Sequence, residues 1–141
     1  LAAQIPGSVL VNSLQEFEHA QADPAVDYVA VGPVFGSPDE VAGPTGLELV
    51  AAAAERAPID DPRSKPWFSL SGVDADNLDD VLEAGARRVG MAAAVTQAPD
   101  PRAAARELVI DVNRAWRLDA RSDLANLQAF SGRPLRPPVG S

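Results

Sequence analysis

The sequence contains no cysteine and a single histidine. That excludes disulfides and thiolate metal sites, and a zinc centre finds too few ligands of the usual kind. No apolar run approaches the roughly 18–20 residues a membrane span requires, and the first residues carry no signal-peptide pattern. The expected location is the cytoplasm. The other large absence is positive charge. Residues 1–55 contain no Lys or Arg, yet carry eight acids, from Glu16 to Glu55. All twelve cations lie between Arg56 and Arg136, and the net charge is −8. A chain of that balance has neither nucleic acid nor an anionic membrane surface as its expected partner.

What is present is the composition of a folded domain. Hydrophobic residues make up 46% of the 141 and charged residues 23%, enough to build a core. Four short apolar runs read as strands: Ser8–Val11, Tyr28–Val31, Trp67–Leu70 and Arg88–Ala92. Each is followed by a segment with helical periodicity. Ser13-Leu14-Gln15-Glu16 is a capping box, and Leu14, Phe17 and Ala20 follow it at helical spacing. Thr45-Gly46-Leu47-Glu48 is a second box, opening a helix whose expected stripe is Leu47, Val50, Ala51 and Ala54. The third helix uses Leu78, Val81 and Leu82, with Asp76 or Asn77 as the expected cap and Gly85 as the stop. The last begins at Asp100-Pro101, an N-cap followed by proline at the first helical position. Its expected inward stripe is Ala105, Leu108, Val109, Val112 and Trp116.

Strand and helix in fourfold alternation predict parallel pairing through right-handed crossovers, an α/β architecture. A flavodoxin-like sheet and part of a (β/α)8 barrel both satisfy the pattern. A whole barrel does not, since it needs about 200 residues or more. The expected organisation is a domain over residues 1–116 and an extension over 117–141, with one more helix from Asp119 to Phe130 and a Pro/Gly-rich tail.

Five segments, in order, resemble thiamine phosphate synthases and their thiazole tautomerase relatives. They are Asp27-Tyr28-Val29-Ala30-Val31-Gly32-Pro33-Val34-Phe35, Gly46-Leu47-Glu48-Leu49, Lys65-Pro66-Trp67-Phe68-Ser69-Leu70-Ser71-Gly72-Val73, Val81-Leu82-Glu83-Ala84-Gly85-Ala86 and Asp100-Pro101-Arg102-Ala103-Ala104-Ala105. The resemblance implies four βα units equivalent to the C-terminal half of a TIM (β/α)8 barrel. It also implies a transferase of thiamine biosynthesis that joins a pyrimidine diphosphate to a thiazole phosphate, with Mg2+ on the diphosphate. The family's first half, with its pyrophosphate-binding and Mg2+-ligand motifs, has no counterpart here.

Against the family pattern, the functional positions of this half are altered. The family's Ser-Thr-His or Ser-Val-His aligns with Leu10-Val11-Asn12, so Asn12 stands where the tautomerases need a proton-exchanging His. The family's Pro-Thr-x-Thr-Lys aligns with residues 36–40, leaving Ser37 as a hydroxyl but Asp39 and Glu40 where Thr and Lys belong. Two carboxylates there oppose a diphosphate, which needs cations where its charge develops. As an Mg2+ pair or as an exposed acidic loop, they leave the catalytic constellation incomplete. His19, the lone histidine, falls on the solvent side of the first helix. Phosphate-binding capacity is expected at Ser71, Gly72, Ala92 and Ala93, where loops after the last two strands bring backbone N–H groups together. The same small residues also suit tight packing.

The sequence therefore predicts a thiamine phosphate synthase-like protein, impaired as an isolated chain. A non-catalytic domain binding a phosphorylated ligand resembling thiamine phosphate, or a protein, is the alternative. Because four βα units leave sheet edges open, self-association or a complementary subunit is expected.

Overall fold

A computed structural model describes residues 7–35, 46–119 and 121. Its sheet consists of β1 (Ser8–Val11), β2 (Tyr28–Val31) and β3 (Trp67–Ser69), in that order and all parallel. The helices are α1 (Leu14–Ala22), α2 (Gly46–Arg56), α3 (Leu78–Glu83), α4 (Ala92–Thr96) and α5 (Pro101–Leu118).

The fourth expected strand is shorter than its apolar run. Only Val89 bridges to Ser69, through bonds from the Ser69 N–H to the Arg88 carbonyl and from the Gly90 N–H to the Ser69 carbonyl. Ala92, read as its last residue, instead opens α4. A run of small apolar residues has no intrinsic bias between the two states, and here the local helix prevails.

Register sorts the strand residues by face. Val9, Val29 and Trp67 align across the sheet, as do Val11, Val31 and Ser69. Five of these six side chains are buried beneath the helices, with Phe17, Leu49, Val50, Ala53, Leu78, Val81 and Leu108. The Trp67 ring meets the edge of Phe17 at 6.2 Å, and its indole N–H donates to the Ala57 carbonyl at 3.0 Å. The intervening row, Leu10, Ala30 and Phe68, faces the other way; there Leu10 is 60% exposed.

Local signals set the helix ends. Ser13 Oγ accepts from the Glu16 N–H at 3.2 Å, while Glu16 Oε2 accepts from the Asn12 N–H rather than from Ser13, so the box closes one residue upstream. Asp100 Oδ1 caps Ala103 at 3.1 Å. Gly85, at φ +112°, ends α3 with the left-handed turn that glycine adopts readily. Two stripes differ from expectation. In α2 the buried set is Leu49, Val50 and Ala53, with Ala51 exposed; in α5 Val109 is 56% exposed. Among the described residues, no helix is long and apolar enough to cross a membrane.

The cations that precede the strands are all engaged at the strands' N-terminal ends. Lys65 Nζ donates to the Ala20 and Asp23 carbonyls at the end of α1. Arg88 lies 5.7 Å from the centre of the Trp116 ring. Arg87 pairs with Asp119 at 3.1 Å and donates to the Leu82 and Ala86 carbonyls. Asp119, just beyond α5, also accepts from Arg121. Of the expected extension, only Asp119 and Arg121 beyond α5 lie within the described residues; the expected helix and tail otherwise fall outside them.

Hydrogen bonding from Arg121, reinforced by the Arg87 charge, holds the Asp119 carboxyl at about 2. A folded value below the unfolded one (about 3.9) makes the stabilisation complete above pH 4 and progressively lost as pH falls towards 2. Asp119→Asn is therefore expected to lower stability at pH 7 by on the order of 1–2 kcal/mol, after allowance for solvent screening, and to flatten the acid limb of the stability curve. Urea titrations between pH 2 and 7 measure both; parallel curves for wild type and variant would contradict the assignment.

Candidate functional site

The parallel sheet places every strand's C-terminal end on one rim. There the turn after β3 and the start of α4 enclose a cleft of about 740 Å³. Ser71, Gly72, Ala92 and Ala93, the four residues expected to bind phosphate, all line it. Their chemistry is that of the backbone. Ser71 and Gly72 both adopt the left-handed conformation, at φ +71° and +74°, so the chain reverses sharply over two residues. A Cβ on Gly72 would collide with the Phe35 carbonyl oxygen, which makes glycine a requirement of both conformation and space.

The carbonyls of this turn are held by specific partners. The Ser71 oxygen accepts from the Phe35 N–H at 3.3 Å, and the Gly72 oxygen accepts from Asn77 Nδ2 at 2.8 Å. Asn77 Oδ1 in turn accepts from the Asp74 N–H at 2.8 Å, while Asp74 Oδ1 accepts from the Asp76 and Asn77 N–H groups. Asn77, one of the two expected residues, holds the N-cap position of α3, but its side chain bonds no N–H of the helix; Asp74 Oδ1 instead holds the two N–H groups just ahead of it. The N–H groups of Ser71, Gly72 and Val73 have no acceptor among the described residues. The first turn of a helix leaves its N–H groups without intrahelical partners, and that turn in α4 comprises Ala92, Ala93 and Ala94. Donors with no acceptor among the described residues therefore border one cavity from two elements, an arrangement suited to oxygens of an anion.

The cleft is otherwise almost neutral. Among the described residues its only charged lining residue is Asp74, whose Oδ1 accepts from the Asp76 and Asn77 N–H groups. Gln97 supplies a side-chain amide that sequence reasoning overlooked, as it overlooked Asn77 as the group that orients the turn. Asp74-x-x-Asn77 was the available signal for the latter, a capping-box spacing with Asn in the third position.

The remaining expected positions do not join this cleft. Asn12 is exposed at the C-terminal end of β1, on the same rim but not among the lining residues. Ser37, Asp39 and Glu40 lie outside the described residues. His19 is exposed on α1, as expected. No group of three or more His, Cys, Asp or Glu among the described residues is arranged to hold a metal ion. Asp74 is the single carboxylate among the cleft's described lining residues, which alone do not make up the oxygen set an Mg2+ ion takes from protein.

Comparison with known proteins places these features in context. A model of the thiamine monophosphate synthase family matches residues 8–95. The thiamine-phosphate synthase of Acidothermus cellulolyticus is 44% identical over 97 residues, covering 68% of this chain and 43% of that protein. The thiamine-phosphate synthase of Mycobacterium leprae is 52% identical over 85 residues, covering 60% of this chain and 34% of that protein. Among solved structures, the thiamine phosphate pyrophosphorylase of Pyrococcus furiosus superposes with a TM-score of 0.66 at 28% identity, covering 81% of this chain and 52% of that one. The chain thus spans between a third and a half of the length of these proteins.

A non-glycine residue at φ +71° carries a conformational penalty of about 1 kcal/mol. Ser71→Gly is expected to stabilise the protein by roughly 0.5–1 kcal/mol, part of the relief being offset by the greater freedom of glycine in the unfolded chain. The midpoint of urea denaturation reads the change, and a destabilised variant would show that the Ser71 side chain makes a contribution the turn geometry does not account for.

Proposed function

The chain belongs to the thiamine monophosphate synthase family, and from that premise we propose that it forms the phosphate-holding part of a thiamine phosphate synthase. The carrying observation is the cleft in which the Ser71-Gly72 turn and the first turn of α4 present unpaired N–H groups. In the reaction the resemblance implies, a pyrimidine diphosphate loses pyrophosphate to a thiazole phosphate. The thiazole's phosphate is not transferred. It needs only a rigid anchor, and oriented backbone dipoles supply one without a long cationic side chain.

Pyrophosphate departure makes a different demand. Negative charge accumulates on the leaving group, and stabilising it requires cations placed before the reaction begins. No cation lines the described cleft, and residues 1–55, which contain Asn12, Ser37, Asp39 and Glu40, contain none at all. The proposed role of this chain is therefore positioning. The charged part of the chemistry, with the Mg2+ that would accompany a diphosphate, falls to groups outside the described residues. On this reading the isolated chain binds a thiamine phosphate-like ligand but turns over slowly or not at all. A second reading, a non-catalytic binding domain, draws on the same neutral cleft and differs in whether an added cation at position 40 restores diphosphate affinity.

Calorimetric titration provides the test. Thiamine phosphate is expected to bind saturably, and thiamine, which lacks the phosphate, at least tenfold more weakly, a difference of about 1.4 kcal/mol. Gly72→Ala is expected to remove the difference. Equal affinity for the two ligands in the wild type would sink the assignment of the cleft.

A companion measurement separates the two readings. Glu40→Lys combined with Asp39→Thr replaces two carboxylates with the cation and hydroxyl of the family pattern, and is expected to raise pyrophosphate affinity in the presence of Mg2+. An unchanged affinity would favour the non-catalytic domain.

A further inference from the structure

Ser71 lines the cleft at φ +71°, in the left-handed conformation that disfavours residues with a Cβ. Glycine escapes that penalty, and the neighbouring Gly72, at φ +74°, is glycine. The two positions make different demands. A Cβ at Gly72 would collide with the Phe35 carbonyl oxygen, so no other residue fits there. At position 71 a serine is accommodated, at a conformational cost that glycine would avoid.

Among the described residues, the folded chain draws no return from that side chain. Ser71 is exposed, and its Oγ takes part in no hydrogen bond with a described residue. Asn and Asp tolerate this conformation by bonding locally through their side chains, which the Ser71 hydroxyl does not do. A strained residue that lines a cavity and supports nothing around it points to what enters the cavity.

We propose that the Ser71 hydroxyl contacts the ligand directly, donating to a phosphate oxygen beside the N–H groups of its own turn. The inference rests on the phosphate-holding role proposed above and extends it from backbone to side chain. Only Ser71, Asp74 and Gln97 bring side-chain oxygen or nitrogen to the described lining. A carboxylate accepts and does not donate, so Asp74 opposes an anion. Gln97 stands at the far end of α4, as its C-cap. Ser71 alone belongs to the turn in which the N–H groups of Ser71, Gly72 and Val73 lack a described acceptor. Those amides are fixed in direction, whereas a hydroxyl rotates to follow an oxygen. Stability and binding therefore oppose each other at this position.

Two variants separate them. Ser71→Gly removes both the strain and the hydroxyl; Ser71→Ala removes the hydroxyl and keeps a Cβ at positive φ. In calorimetric titrations each is expected to bind thiamine phosphate about tenfold more weakly than the wild type, with thiamine affinity unchanged. Ser71→Gly is expected to do so while raising the urea midpoint, a combination that a purely structural role does not produce. Wild-type affinity in both variants, in a protein that distinguishes thiamine phosphate from thiamine, would overturn the inference and leave the cleft's assignment standing. A wild type that does not distinguish the two ligands would remove both. A loss confined to Ser71→Gly would also overturn it, because the freedom of glycine would then be the cause. So would a Ser71→Ala chain that loses stability but keeps affinity, since the hydroxyl would then support the turn.

Discussion

Parallel pairing of β1, β2 and β3 puts the C-terminal end of every strand on one rim, because each strand must be reached through a crossover that carries a helix back along the sheet. With all crossovers of one hand, the helices collect on one face. Val11, Val29, Val31, Trp67 and Ser69 are sealed beneath them, whereas Leu10 on the other face is 60% exposed. The same constraint gathers the turns after β3 and after the Arg88–Gly90 segment at one end, where they form the cleft. Site and exposed sheet face thus have one origin.

Within that frame, precision at the cleft comes from a small network rather than from the core. The turn at Ser71-Gly72 is unfavourable for its first residue, and it persists because its carbonyls are held by Phe35 on one side and Asn77 on the other. Asn77 is fixed in turn by the Asp74 box that opens α3, and α3 is anchored by Leu78, Val81 and Leu82 in the core. Packing of the third helix is therefore what aims the N–H groups of the turn. The buried Ser69 hydroxyl, just before this turn, has no hydrogen-bond partner among the described residues. The structure offers no explanation for it.

Legibility in the sequence followed the range of the interaction concerned. The caps at Ser13 and Asp100 and the stop at Gly85 were readable because each depends on neighbours three or four residues away. The parallel order was readable from alternation, and the meeting of Ser71, Gly72, Ala92 and Ala93 at one cleft from a resemblance that preserved their spacing. What failed depended on distant partners. Val109 has the spacing of a buried residue in α5 yet is exposed, since burial depends on the helix that would lie beside it. Ala92 followed an apolar strand pattern yet joined a helix, since a strand of small residues needs a second neighbour to hold it extended. Asn77 stands at the cap position as expected, but its second role escaped, because its bond to the Gly72 carbonyl exists only once the chain has reversed at Ser71.

The placement of charge is the least local property and the one with the greatest consequence for chemistry. Three extended residues at about 3.3 Å each, the length of β3, span roughly 10 Å, more than the screening length of about 8 Å at physiological ionic strength. Lys65, Arg87 and Arg88 sit at the far end of that span, and each is already engaged: with the carbonyls at the end of α1, with Asp119, and with the Trp116 ring. Moving any of them to the rim would break those interactions and still leave a side chain too short to cross the sheet. Their field at the cleft is weak for the same reason. An anion there would be left to backbone dipoles, and a departing pyrophosphate, which gains charge during a reaction, would require full cations close by. On the function proposed above, anchoring falls to this segment and charge stabilisation to groups that must reach the rim from elsewhere.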